Sequence, residues 1–177
     1  MKNFQIPQKE QLSEANQSIF NQLEKGIGYV PNLFATFAHS ENGLSTYMGL
    51  QNAKSSLKAK EKEVVSLVVS QYNKCLYCLS AHTAVAKLNG FNDEQILEIR
   101  KVNISFDSKL SSLANLVQEA VSKKGEISDE AKENFFNEGY TEGNLVDVII
   151  AIGDKTITNY LYAVTKIPVD WPIAAEL

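Results

Sequence analysis

The chain has 177 residues, 44% of them apolar, which suits one ordinary globular domain with a sizeable buried core. A formal net charge of −4 and a pI near 5.3 argue against a nucleic-acid surface, and no run of like charges forms an acidic or basic tail. No stretch reaches the ~20 consecutive apolar residues of a membrane span, since Asp147 interrupts the nearest, Leu145 to Ile152; Met1 to Pro7 also lacks the apolar run of a signal peptide. The expectation is a cytoplasmic, soluble protein without nucleic-acid or membrane partners.

The apolar pattern has helical spacing throughout, and strand signals are nearly missing. A first helix is predicted from about Gln8 to Glu24, ending near Gly26 and Gly28. Pro31 suits the first turn of a short helix running to Ala38. Ser40 is the expected N-cap of a third helix, about Glu41 to Ser55, with Tyr47 and Leu50 inward. A fourth starts near Lys58 and turns Val64, Leu67, Val68 and Tyr72 toward the core. Asn73-Lys74 reads as a break, and a fifth helix follows from Cys75 to Asn89-Gly90, where Gly supplies a left-handed end. Asn92 with Gln95 resembles a capping box for a helix from Asp93 to Lys101. Further helices are predicted at 107–123 and, capped by Ser128, at 129–137. Thr141 caps the last long helix, which carries Leu145, Val148, Ile149, Ile152, Ile157 and Leu161 to about Thr165 before Pro168 and Pro172 extend the chain. No linker or repeat divides it, so one all-α domain over 1–177 is the expectation.

Two cysteines are too few for a disulfide framework, and a close pair in a reducing compartment is more often redox-active, catalytic or metal-binding. Cys75-Leu76-Tyr77-Cys78 places them at i and i+3 where a helix begins, with Asn73 or Lys74 as the expected cap. That spacing lets the sulfurs reach disulfide distance. His82, at i+4 from Cys78, shares their face. The helix N-terminus favours a thiolate, and an imidazole one turn away is a suitable proton acceptor. Glu63 comes alongside if the fourth and fifth helices pack antiparallel across the break, where it would orient the ring.

Other readings of the same residues stay open at this point. Two cysteines at helical spacing also serve as small core residues. Cys75, Cys78 and His82 supply three zinc ligands, with only His39 or Glu63 as a fourth. Glu63 also fits the solvated first turns of a helix beginning Lys58, Lys60, Glu61, Lys62. His39 reads as a packing or capping residue, and Phe34, Phe37 and Tyr160 as core or subunit contact. No βαβ pattern surrounds the motif, which disfavours a thioredoxin-like fold, and Leu79 after Cys78 rules out c-type haem attachment.

Glu63, eleven residues, Cys75-Leu76-Tyr77-Cys78, three residues and His82 resemble the E-x11-C-x-[HY]-C-x3-H pattern of the AhpD-like alkylhydroperoxidases, within the carboxymuconolactone decarboxylase superfamily. Val30-Pro31-Asn32-Leu33, Ala38-His39-Ser40, Leu88-Asn89-Gly90, Asn159-Tyr160 and Asp170-Trp171 are similar to its peroxidase-related branch. The resemblance implies an AhpD-like helical bundle, trimeric or hexameric, that needs no cofactor or metal and reduces hydroperoxides as an antioxidant enzyme with a dithiol or protein reductant. It implies Cys78 as the peroxide-attacking residue, Cys75 as the resolving one that closes a disulfide, and Glu63 with His82 as the proton relay. Tyr77 stands where some members carry a second His; a phenol, with an unperturbed pKa near ~10, is a hydrogen-bond partner there rather than a base. Decarboxylase members lack the cysteine pair, which makes lactone decarboxylation a poor fit. A redox sensor or thiol–disulfide exchange protein without peroxide turnover is the alternative.

Overall fold

Side-chain caps and left-handed residues set the helix boundaries in the computed structural model, which describes residues 4–177; Met1 to Asn3, part of the segment read for a signal peptide, lie outside the described residues. Among the described residues there are nine α-helices and no strand: α1 Glu14–Ile27, α2 Asn32–Phe37, α3 Gly43–Gln51, α4 Ala59–Tyr72, α5 Leu76–Leu88, α6 Asp93–Arg100, α7 Ser108–Ser122, α8 Asp129–Asn137 and α9 Glu142–Thr165. The all-helical expectation holds. Where a side-chain oxygen caps the helix, the predicted start is close: Gln95 N–H donates to Asn92 at 2.8 Å, Leu110 N–H to Asp107 at 3.0 Å, and Ala131 N–H to Ser128 at 3.2 Å.

Two helix starts differ, and the third helix ends at Gln51 rather than about Ser55. The first helix starts at Glu14 rather than near Gln8, because Ser13 accepts from the Asn16 N–H and the preceding Lys9–Gln11 is only a 3₁₀ turn. The third begins at Gly43, not after Ser40: Ser40 N–H donates to Phe37 O and Gly43 N–H to Ser40 O, so Ser40 sits within a turn. A Cβ on Gly43 would lie 2.8 Å from that Phe37 oxygen, so glycine is required there.

The chain forms two compact units. One holds the described residues up to Lys54 together with Tyr160–Asp170. Its core is Phe20, Ala35, Ala38 and Leu44, with Phe37 stacked on Tyr47 at 4.3 Å. The Asp170 carboxylate accepts from the Asn32 N–H at the start of α2, at 2.7 Å, and the Asn32 amide donates to Pro168 O.

The other unit, Ser55–Asn159 with Trp171–Leu177, carries the cysteine motif. Its centre is α4, which packs against α5, α6 and α7, while α7 packs against α8. Val64, Val65, Leu67, Val68 and Val69 are all fully buried, as a helix enclosed on every side requires. Tyr72 is not inward; it is 44% exposed, since α4 ends beside it. On α9, Val148 is buried but Ile149 and Ile157 face outward, so only part of the predicted apolar set joins the core. No helix among the described residues is long and apolar enough to cross a membrane.

Candidate active site

The turn between α4 and α5 builds the site from backbone chemistry. Lys74 N–H donates to Gln71 O and Cys75 N–H to Ser70 O, the paired bonds that close a helix on a left-handed residue. Lys74 takes that conformation with φ 51°. The chain therefore turns sharply at Lys74, and Cys75, not Asn73 or Lys74, becomes the N-cap of α5. Its Sγ accepts from the Cys78 N–H at 3.3 Å. Asn73 donates to Asn159 Oδ1 at 2.9 Å, and Asn159 Nδ2 donates to Ser70 Oγ at 3.3 Å, which ties the turn to α9.

The two cysteines are thiols rather than a disulfide, and both are buried. Cys75 Sγ donates to Cys78 Sγ at 2.7 Å. That hydrogen bond holds the Cys78 thiol below its ordinary range; burial opposes it, while side-chain hydrogen bonds from Asn159 and Thr158 and the charge of Lys155 add to the lowering. Cys78 is in the first turn of α5, where unpaired N–H groups also favour negative charge.

Glu63 projects from α4 to His82 on α5: its Oε2 lies 2.9 Å from His82 Nδ1, with the carboxylate side chain 8% exposed and the ring 18%. The alternative of a solvated first turn fails for Glu63. Glu61, itself buried, makes the first-turn capping bond instead, accepting from the Lys58 N–H at 2.7 Å. Tyr77 is buried in the same turn as Cys78. His39 lies in the other unit, where its Nε2 contacts Gln5 O at 2.8 Å. Among the described residues no group of three or more His, Cys, Asp or Glu is placed to hold a metal ion.

Site residues that the sequence reading did not assign come from α9. Lys155 Nζ lies 3.3 Å from His82 Nε2 and 3.2 Å from the Asp154 carboxylate, and Lys155 is 5% exposed. Lys155, Thr158 and Asn159 are buried at i, i+3 and i+4, one polar stripe on a helix otherwise rich in apolar residues. That spacing was the available signal: a Lys in such a helix needs partners if it is buried.

An all-helical unit presenting a Cys-x-x-Cys pair at a helix start, with a Glu–His pair from two packed helices, defines an AhpD-like fold. The model of the carboxymuconolactone decarboxylase family matches residues 39–119, which include Glu63, Cys75, Cys78 and His82 but not α9. Among solved structures, an uncharacterized peroxidase-related protein from Silicibacter sp. TM1040 is similar with a TM-score of 0.82 at 22% identity, covering 93% of this chain and 90% of that one. An alkylhydroperoxidase AhpD core protein from Ralstonia eutropha JMP134 gives 0.86 at 16% identity, covering 95% and 92%. The debrominase Bmp8, in a variant bound to 2,3,4-tribromopyrrole, gives 0.78 at 14%, covering 95% and 92%. No curated protein matches the chain. Residues 39–119 are thus similar to the carboxymuconolactone decarboxylase family, and the fold is that of AhpD-like proteins.

Proposed function

We propose that the protein is a thiol-dependent peroxidase that reduces hydroperoxides through Cys78 and Cys75. The observation that carries the reading is the 2.7 Å contact between the two sulfurs, with Cys78 held below the ordinary thiol range by it. The Cys78 thiolate attacks the terminal oxygen of ROOH; the S–O bond forms as the O–O bond breaks. Sulfur is oxidised to a sulfenic acid, and the leaving alkoxide takes up the proton that Cys78 gave up on ionising, passed back through the Glu63–His82–Lys155 cluster, to become ROH. The Cys75 thiol then condenses with the sulfenic acid, forming the S–S bond and releasing water. An external dithiol or protein reductant returns both thiols. Tyr77 has the part of a hydrogen-bond partner within this turn.

Cytoplasmic residence belongs to the same proposal, because reducing dithiols are available there. So does a homo-oligomer, trimer or hexamer, which the outward Val146, Ile149, Ile150 and Ile157 of α9 support.

The test is turnover of an organic hydroperoxide with excess dithiothreitol or dihydrolipoamide. The expected result is many equivalents consumed per chain. Rapid formation of one disulfide followed by no further consumption is the sensor's behaviour, and faster reduction of a protein disulfide than of any hydroperoxide is that of an exchange protein; either outcome removes the peroxidase assignment.

A further inference from the structure

Both ring nitrogens of His82 are occupied. Nδ1 faces the Glu63 carboxylate at 2.9 Å and Nε2 faces the Lys155 ammonium at 3.3 Å. A carboxylate only accepts and an ammonium only donates, so the ring is the neutral tautomer with its proton on Nδ1 and its lone pair toward Lys155. In this arrangement His82 has no nitrogen left for the proton of Cys78. The charged group on the helix that supplies Thr158 and Asn159 to Cys78 is Lys155 itself. Its carbonyl accepts from Thr158 Oγ1 at 2.9 Å, which couples the lysine to that cradle.

We propose that Lys155 is the positioning residue that sets the thiolate fraction of Cys78, and that Glu63 and His82 act on the sulfur through Lys155 rather than by taking its proton directly. The groups facing the ammonium are His82 and Cys78 on α5, Asp154 on α9, and Glu63 on α4 behind the imidazole. Three of these are acidic and one is neutral, so Lys155 is the cluster's only fixed positive charge. Removing it takes away the one positive charge that favours the buried thiolate, leaving desolvation opposed only by the hydrogen bonds of Cys75, Asn159 and Thr158. Removing His82 leaves the ammonium in place. The two side chains therefore differ in what their loss does to the sulfur, although they touch one another. This assignment rests on the peroxidase reading for its consequence in turnover, but the thiolate itself is measured without any peroxide.

The experiment is the pH dependence of iodoacetamide alkylation of the fully reduced protein, localised to Cys78 by peptide mass spectrometry. Lys155→Met is expected to raise the midpoint by about one pH unit or more, cutting the thiolate about tenfold at pH values below both midpoints. Lys155→Arg is expected to restore at least half of that shift, and His82→Gln to move the midpoint by less than half as much as Lys155→Met. An unchanged midpoint in Lys155→Met, or a larger shift in His82→Gln than in Lys155→Met, overturns the proposal. If Lys155→Met does not fold, His82→Gln still decides, because a rise of about one unit or more with the ammonium retained contradicts it. A shifted midpoint in a protein that consumes no hydroperoxide removes the peroxidase reading and leaves Lys155 in its role. Intact turnover with an unshifted midpoint does the reverse.

Discussion

Cys78→Ser is expected to abolish hydroperoxide reduction, lowering the rate at least ~10³-fold to the uncatalysed background. A hydroxyl is far less acidic than a thiol, so the groups that hold Cys78 low cannot deliver an alkoxide at neutral pH. Those groups are the Cys75 thiol, Asn159, Thr158 and Lys155. The substitution changes one atom in a cradle of hydrogen-bonding side chains, so the fold is retained and the loss is chemical. Far-UV circular dichroism should match the parent chain while peroxide consumption, followed with dithiothreitol as reductant, disappears. Undiminished turnover in the folded variant would remove Cys78 from the reaction.

Glu63→Gln should have the next largest effect, a fall of about 10²-fold in turnover with little change in volume. The Glu63 carboxylate accepts the Nδ1 proton of His82 and thereby fixes which ring nitrogen is bare. An amide presents a donor as readily as an acceptor. When the introduced amide donates to Nδ1, the ring proton moves to Nε2 and points at the Lys155 ammonium, donor against donor. Leaving such a buried pair unsatisfied also costs about 1–3 kcal/mol of stability. The check is kcat against denaturation midpoint in the same variant. A fully active Glu63→Gln would mean that the carboxylate's charge and its control of the tautomer are both dispensable.

The parts of the site differ in how far the sequence exposes them, and the reason is the range over which each is specified. Cys75, Cys78 and His82 lie within one helix, where i+3 and i+4 spacing alone puts them on a common face. Glu63 depends on α4 packing against α5, a tertiary fact; from local pattern it reads equally as an exposed first-turn carboxylate, and only the family motif distinguishes it. Lys155 is 73 residues from His82 along the chain, and nothing local predicts which helix its stripe will face. The helix starts follow the same logic. Asn92 and Ser128 announce themselves because their own side chains make the cap. The Ser40 reading failed because a serine in a turn looks the same in sequence as one at a cap. On α9, periodicity identifies an apolar helix without telling the covered stripe, with Val148, from the outward one, with Ile149 and Ile157.

The proposed mechanism, peroxide attack by Cys78 with resolution by Cys75, requires an intermediate that can be trapped. In Cys75→Ser, one equivalent of an organic hydroperoxide should leave a sulfenic acid on Cys78, captured by dimedone and located by peptide mass spectrometry, with one equivalent of alcohol released. The parent chain, treated in the same way, should show no adduct and an intramolecular Cys75–Cys78 disulfide. A dimedone adduct confined to Cys75 when Cys78 is the residue replaced, or no adduct and no alcohol in Cys75→Ser, would overturn this chemistry.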